Sequence, residues 1–96
     1  YFSITANIDD ETGLVDQART IMTNIASVLE EWGLTFKDVC KATTTYVGDS
    51  SAEALHENMV IRNSYFSKPG PASTGLRINH FINSQGKISV TLFGLV

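Results

Sequence analysis

The segment Pro69-Gly70-Pro71-Ala72-Ser73-Thr74-Gly75 concentrates residue types suited to holding a small polar ligand. Each proline removes a backbone donor and fixes φ, so the start of the segment cannot be regular structure. Small side chains leave several backbone amides uncovered, and Ser73 and Thr74 add hydroxyl donors. Such groups together can bind a carboxylate. The same composition also describes a plain helix-to-strand connection made of turn formers. Both readings stand on composition.

Other chemistry has less support. His56 and His80 have no Cys or His partner at metal-ligand spacing, so no metal site is expected. Cys40 reads as a small buried residue at a strand start, because a nucleophilic role needs a histidine beside it that the sequence does not place. Gly70 and Gly75 flank a turn with no helix after it, which is not a phosphate-cradling loop. The net charge is −3, and the seven Lys and Arg are scattered with no two adjacent. Nucleic-acid binding leans on clustered positive charge, so no nucleic-acid partner is expected.

A single cysteine allows no disulfide within the chain and fits a reducing compartment. No apolar run approaches the roughly 18 residues that span a membrane, and Tyr1-Phe2-Ser3-Ile4 lacks the basic start of a secretory leader. The expectation is a cytoplasmic protein without a membrane partner.

Positioning the loop falls to a single domain of 96 residues. Tyr1 to Ile8 alternates with period two and predicts a strand, with Phe2, Ile4, Ala6 and Ile8 on one face. Asp9 to Gly13 is a turn by composition. Val15, Ala18, Met22, Ile25, Leu29 and Trp32, widened by Ile21 and Val28, form the apolar stripe of a helix. Gln17 and Thr20 fall on its polar face, and Gly33 stands where a left-handed cap belongs. Thr35 to Asp38 has capping-box spacing, and Val39 to Val47 is a β-branched strand. Ser50-Ser51-Ala52-Glu53 is a second capping box, opening a helix through about Tyr65 with Ala52, Leu55, Met59 and Phe66 inward. Ser73 to Phe81 is a strand, Asn83 to Gly86 a hairpin turn, and Ile88 to Val96 a last strand.

This order predicts an α+β two-layer sandwich, a mixed sheet with two helices on one face. The other face would carry Ser3, Thr5, Thr43, Thr45, Ser89 and Thr91, with Tyr1, Val47, Phe93 and Leu95 among them. Apolar residues on such a face predict oligomerisation.

The chain resembles the RidA (YjgF) family through Gln17-Ala18-Arg19, Asn24-Ile25, Val28-Leu29 and Gly33-Leu34, then Asp38-Val39, Lys41 and Thr43 entering a strand. The likeness continues through Asn58, Tyr65-Phe66, Pro71-Ala72 and Gly86, over essentially the whole chain. It implies a chorismate-mutase-like fold assembled as a homotrimer, with small-molecule ligands in the clefts between subunits. Family deaminases hydrolyse reactive enamines and imines to a 2-keto acid and ammonia, with no cofactor and no metal. The family's first strand, with a pocket tyrosine, would precede residue 1.

Residue by residue, the family pattern is altered. The family's carboxylate-gripping arginine after the Pro-Ala pair is Ser73 here, and the last-strand glutamate aligns with Thr91. The early-strand serine corresponds to Ser3, with Ile4 in place of the usual glycine. Arg77 lies roughly 13 Å further along an extended strand and would serve only a shifted site. The ligand-binding candidates are Ser3, Thr5, Asn58, Ala72, Ser73, Thr74, Arg77 and Thr91. A neutral or hydrophobic ligand suits Ser73, Thr74 and the backbone amides better than a simple imino acid. Two functions follow: an imine or enamine hydrolase with an altered substrate, or a non-catalytic binding or regulatory trimer. Ribonuclease-like or translation-inhibitory activity, ascribed to some family members, gains nothing from the acidic charge balance.

Overall fold

The computed structural model describes residues 1–9, 12–47, 51–67, 70–79, 81 and 85–95. The elements run β1 (Phe2–Asn7), α1 (Leu14–Glu31), a 3-10 turn (Phe36–Asp38), β2 (Val39–Val47), α2 (Ala52–Asn63), β3 (Ala72–Ile78) and β4 (Ile88–Gly94). The sheet order is β1-β4-β2-β3. β4 pairs antiparallel with both β1 and β2, while β2 and β3 are parallel and joined across α2. The chain is thus α+β, a mixed four-stranded sheet with two helices, as its residue order predicts.

The expected hairpin before the last strand is a correction. β4 does not pair with β3; it lies between β1 and β2, and β2 separates the two. The burial of each strand gives the reason. Ile88, Val90, Leu92 and Gly94 are all buried, which suits an interior strand, whereas Ala72 to Arg77 are exposed and suit an edge. Positions 82–84 of the expected turn lie outside the described residues.

α1 supplies the core. Leu14, Ala18, Ile21, Met22, Ile25 and Leu29 pack on Phe2, Ile4, Ile88, Val90 and Leu92. Gly33 adopts φ +73° as predicted. Its N–H donates to Glu30 O (3.0 Å) and that of Leu34 to Leu29 O (2.8 Å), the two bonds of a Schellman motif. Trp32 is half exposed, with its ring edge-on to Phe2 at 6.2 Å between centroids. Gln17, expected on the polar face, is fully buried. It donates to Thr12 O and accepts from Lys87 N, each at 2.6 Å, so its amide ties the entry of α1 to the entry of β4.

α2 departs further from expectation. It begins one residue later, with Ser51 as cap accepting from Ala54 N at 3.1 Å. The box through Ser50 is not the cap, and Ser50 lies outside the described residues. Met59 and Ala52, expected inward, are exposed, and the buried residue of the helix is Asn58. The face turned to the sheet therefore carries polar side chains.

On the open face, Thr5 and Thr91 share a hydroxyl hydrogen bond of 2.9 Å, and Lys41 Nζ lies 5.5 Å over the Phe93 ring. Tyr1 and Leu95 are well exposed. Val47, placed by alternation on this face, is buried where its N–H donates to Lys87 O. Among the described residues no helix is long and apolar enough to cross a membrane.

Candidate functional site

The parallel register of β2 and β3 sorts the candidate residues between the two faces of the sheet. Ser73 stands beside Ala42, Gly75 beside Thr44 and Arg77 beside Tyr46, on the helix side. Ala72 stands beside Lys41 and Thr74 beside Thr43, on the open side. Ser3 lies opposite Phe93, and Thr5 opposite Thr91, also on the open side. Within one chain, then, Ser73, Arg77 and Asn58 share the helix side, while Ser3, Thr5, Ala72, Thr74 and Thr91 belong to the other.

On the helix side a partly open cavity of about 90 Å3 lies between α2 and the β2–β3 pair. Its floor is Met22, Val90 and Leu92, and its walls include Ala42, Phe66 and Pro71. Phe66 is held there by the Phe36 ring, 5.3 Å away between centroids and nearly perpendicular. Thr44, Arg62, Asn63 and Ser73 line both this cavity and an outer groove of about 370 Å3, which adds Tyr46, Met59, Thr74 and Gly75. Arg77 lines neither space. It stands beside Tyr46, two residues beyond Gly75.

The polar centre of this site is Arg62, which the sequence reading did not single out. Its Nε donates to Asn58 Oδ1 and its Nη1 to Thr44 Oγ1, each at 2.8 Å. Asn58 and Thr44 are both almost fully buried, and Asn58 Nδ2 donates in turn to Leu55 O at 3.1 Å. Asn58 and Arg62 are four apart, hence neighbours on one face of α2. Burial pushes the Arg62 guanidinium below its ordinary pKa, and the nearby Tyr46 opposes the shift. It stays charged nonetheless, because an arginine in a protein is not deprotonated. Among the described residues it has no carboxylate partner; Arg19 pairs with Glu57 at 3.5 Å on the surface.

Asn58 and Arg62 interrupt the apolar stripe of α2, but their burial follows only from the fold. Leu55 and Phe66 bracket Asn58 and Arg62, and alternation turns Thr44 inward toward them.

Among the described residues no carboxylate, histidine or cysteine lines either space. Cys40, expected buried, is exposed, with Sγ 3.5 Å from Phe93 O. The register shift between Val39 and Lys41 turns it out of the core. Among the described residues no group of three or more His, Cys, Asp or Glu could hold a metal. His80 lies outside them.

No known family profile and no curated protein matches this sequence. Solved structures do match. A protein of unknown function from Yersinia pestis, of the conserved Rid protein family, superposes with TM-score 0.75 at 18% identity over 96% of this chain and 78% of its own. A member of the highly conserved YjgF/YER057c/UK114 family from Mycobacterium tuberculosis gives 0.77 at 15% over 97% and 75%. RidA from an Antarctic Psychrobacter gives 0.71 at 23% over 88% and 65%. The fold is that of the YjgF/Rid proteins.

Proposed function

We propose that this chain is a RidA-like protein that hydrolyses reactive imines or enamines to a 2-keto acid and ammonia, with an altered substrate. The observation that carries this reading is the position of Ser73. Directly after Pro71-Ala72, it borders a partly open cavity whose side-chain polar lining is Thr44, Arg62, Asn63 and Ser73. Hydroxyl and amide groups can accept as well as donate, so they can orient a water toward an electrophilic carbon. In the reaction water adds to the iminium carbon; the carbinolamine then expels ammonia, and the hydroxyl oxygen becomes the keto oxygen. Proton, water and nitrogen balance without an oxidant or reductant.

The homotrimer belongs to the same proposal. Tyr1, Leu76 and Leu95 are exposed large apolar side chains on or beside the open sheet face, which suits contact with other copies. β3 is an edge strand, so the mouth of the groove lies where a neighbouring subunit can cover it.

A second reading, a non-catalytic binding or regulatory protein on the same fold, is favoured by one observation. Among the described residues neither space has a carboxylate or histidine to act as general base. Ammonia release from freshly generated 2-iminobutanoate separates the two readings. Acceleration by the purified protein supports hydrolysis. If only Ser73→Arg accelerates it, the scaffold is competent but the natural chain is a binder.

A further inference from the structure

We infer that Arg62 is the anion-recognition group of the α2–β3 cavity, and that its ligand is a short-chain aliphatic monocarboxylate whose tail occupies the inner chamber. The inference deepens the proposed function by using the same cavity, but it requires binding alone and not hydrolysis.

A charge partly removed from water gains from an opposite charge beside it. Arg62 has only neutral oxygens, Asn58 Oδ1 and Thr44 Oγ1, among the described residues. Two of the five guanidinium N–H donors are used there, and three remain for a ligand. Both anchors are themselves buried, so the guanidinium is oriented before any ligand arrives and little ordering cost is left for binding. The lowered pKa from burial fits a cation whose water has been partly removed.

The surroundings define the ligand. Arg62 lines both the inner chamber and the outer groove, so it stands where the two meet. The inner chamber has an apolar side formed by Met22, Phe66, Val90 and Leu92, and Thr44, Asn63 and Ser73 complete its polar lining around Arg62. Its volume of about 90 Å3 leaves room for a tail of a few carbons. A carboxylate presents two coplanar oxygens to a planar fork. The fork also matches phosphate, but inorganic phosphate has no apolar tail to fill the inner chamber. The positive charge thus comes from α2 rather than from the strand after Pro71-Ala72, and it reaches the same cavity that Ser73 lines.

The test is calorimetric titration with 2-ketobutyrate, its neutral amide, inorganic phosphate and phenylpyruvate. The intact protein is expected to bind 2-ketobutyrate at least about 10-fold more tightly than each of the other three. Arg62→Met should weaken 2-ketobutyrate about 30-fold or more, with Arg62→Lys falling between because it keeps the charge and loses the fork. Melting curves check that both variants fold. A readout without substitution is the Arg62 Nε–H resonance, which should shift saturably with the keto acid and not with the amide. Equal binding of the amide, of phosphate or of phenylpyruvate overturns the assignment. So does wild-type affinity in Arg62→Met, or a silent Arg62 resonance at saturating ligand. Ammonia release keeps the two claims apart. Binding through Arg62 without ammonia release leaves this inference standing and removes hydrolysis; release that Arg62→Met leaves unchanged does the reverse.

Discussion

Arg62 on α2 reaches across to β2 and donates from Nη1 to the buried Thr44 Oγ1 at 2.8 Å, so one side chain joins the helix layer to the sheet at the cavity wall. The bond fixes a charge and a cavity boundary together, and stability and ligand binding are therefore coupled at this point.

Thr44→Val keeps the shape of Thr44 and removes the acceptor. Hydrogen bonds to a charged group are worth about 1.5–3 kcal/mol, and the loss should fall in that range in urea unfolding. Asn58→Leu removes the other anchor and should cost a similar amount. Because both act through Arg62, the double variant should lose less than the sum of the two. Strict additivity would show that the two bonds are independent.

Gly94 has a different constraint. A Cβ there would run into Asp38 O and the Phe2 ring, where β4 is paired with both β1 and β2. Gly94→Ala should destabilise by about 1–3 kcal/mol, as overpacking does. Gly33→Ala, at φ +73° with open space around it, should cost about 1 kcal/mol from backbone strain alone. Chemical denaturation of both variants ranks them, and the reverse order would contradict the close packing at Gly94.

Ile25 and Met59 contrast the two helix faces. Ile25 is fully buried, while Met59 is about half exposed. Ile25→Ala should cost about 2–5 kcal/mol, and Met59→Ala less than about 0.5 kcal/mol. Thermal melting distinguishes them. A large loss at Met59 in dilute protein would show that the outer groove is covered by another copy.

The open sheet face makes a separate prediction. Light scattering should give the mass of a trimer, and Thr91→Arg should reduce it, because the new charge would sit beside the Thr5 hydroxyl in the middle of that face. A monomer at micromolar concentration for the unmodified chain would contradict the assembly.

Period and turn chemistry made much of the fold legible. The spacing from Ala18 to Leu29 located α1, Gly33 its end, and the alternation of Ile88, Val90 and Leu92 a buried strand. Strand order was not legible, because a turn-like composition at Asn83 to Gly86 says nothing of which strand β4 joins. That choice is made by burial over the whole sheet. The site was half legible. Ser73 followed from its place after Pro71-Ala72, but Arg62 lay hidden because an arginine in an amphipathic helix ordinarily reads as solvated. Its burial depends on Asn58 replacing an apolar residue on the same face and on Thr44 turning inward from a strand eighteen positions away. Such long-range coincidences of polar groups leave no period to read.

Ammonia release from freshly generated 2-iminobutanoate, followed for the unmodified protein beside Arg62→Met and Arg62→Lys, tests the central claim most directly. The account predicts acceleration by the unmodified protein, near-complete loss in Arg62→Met and partial retention in Arg62→Lys. No acceleration by folded, unmodified protein would contradict the hydrolytic reading, and equal rates in all three would contradict the role of Arg62.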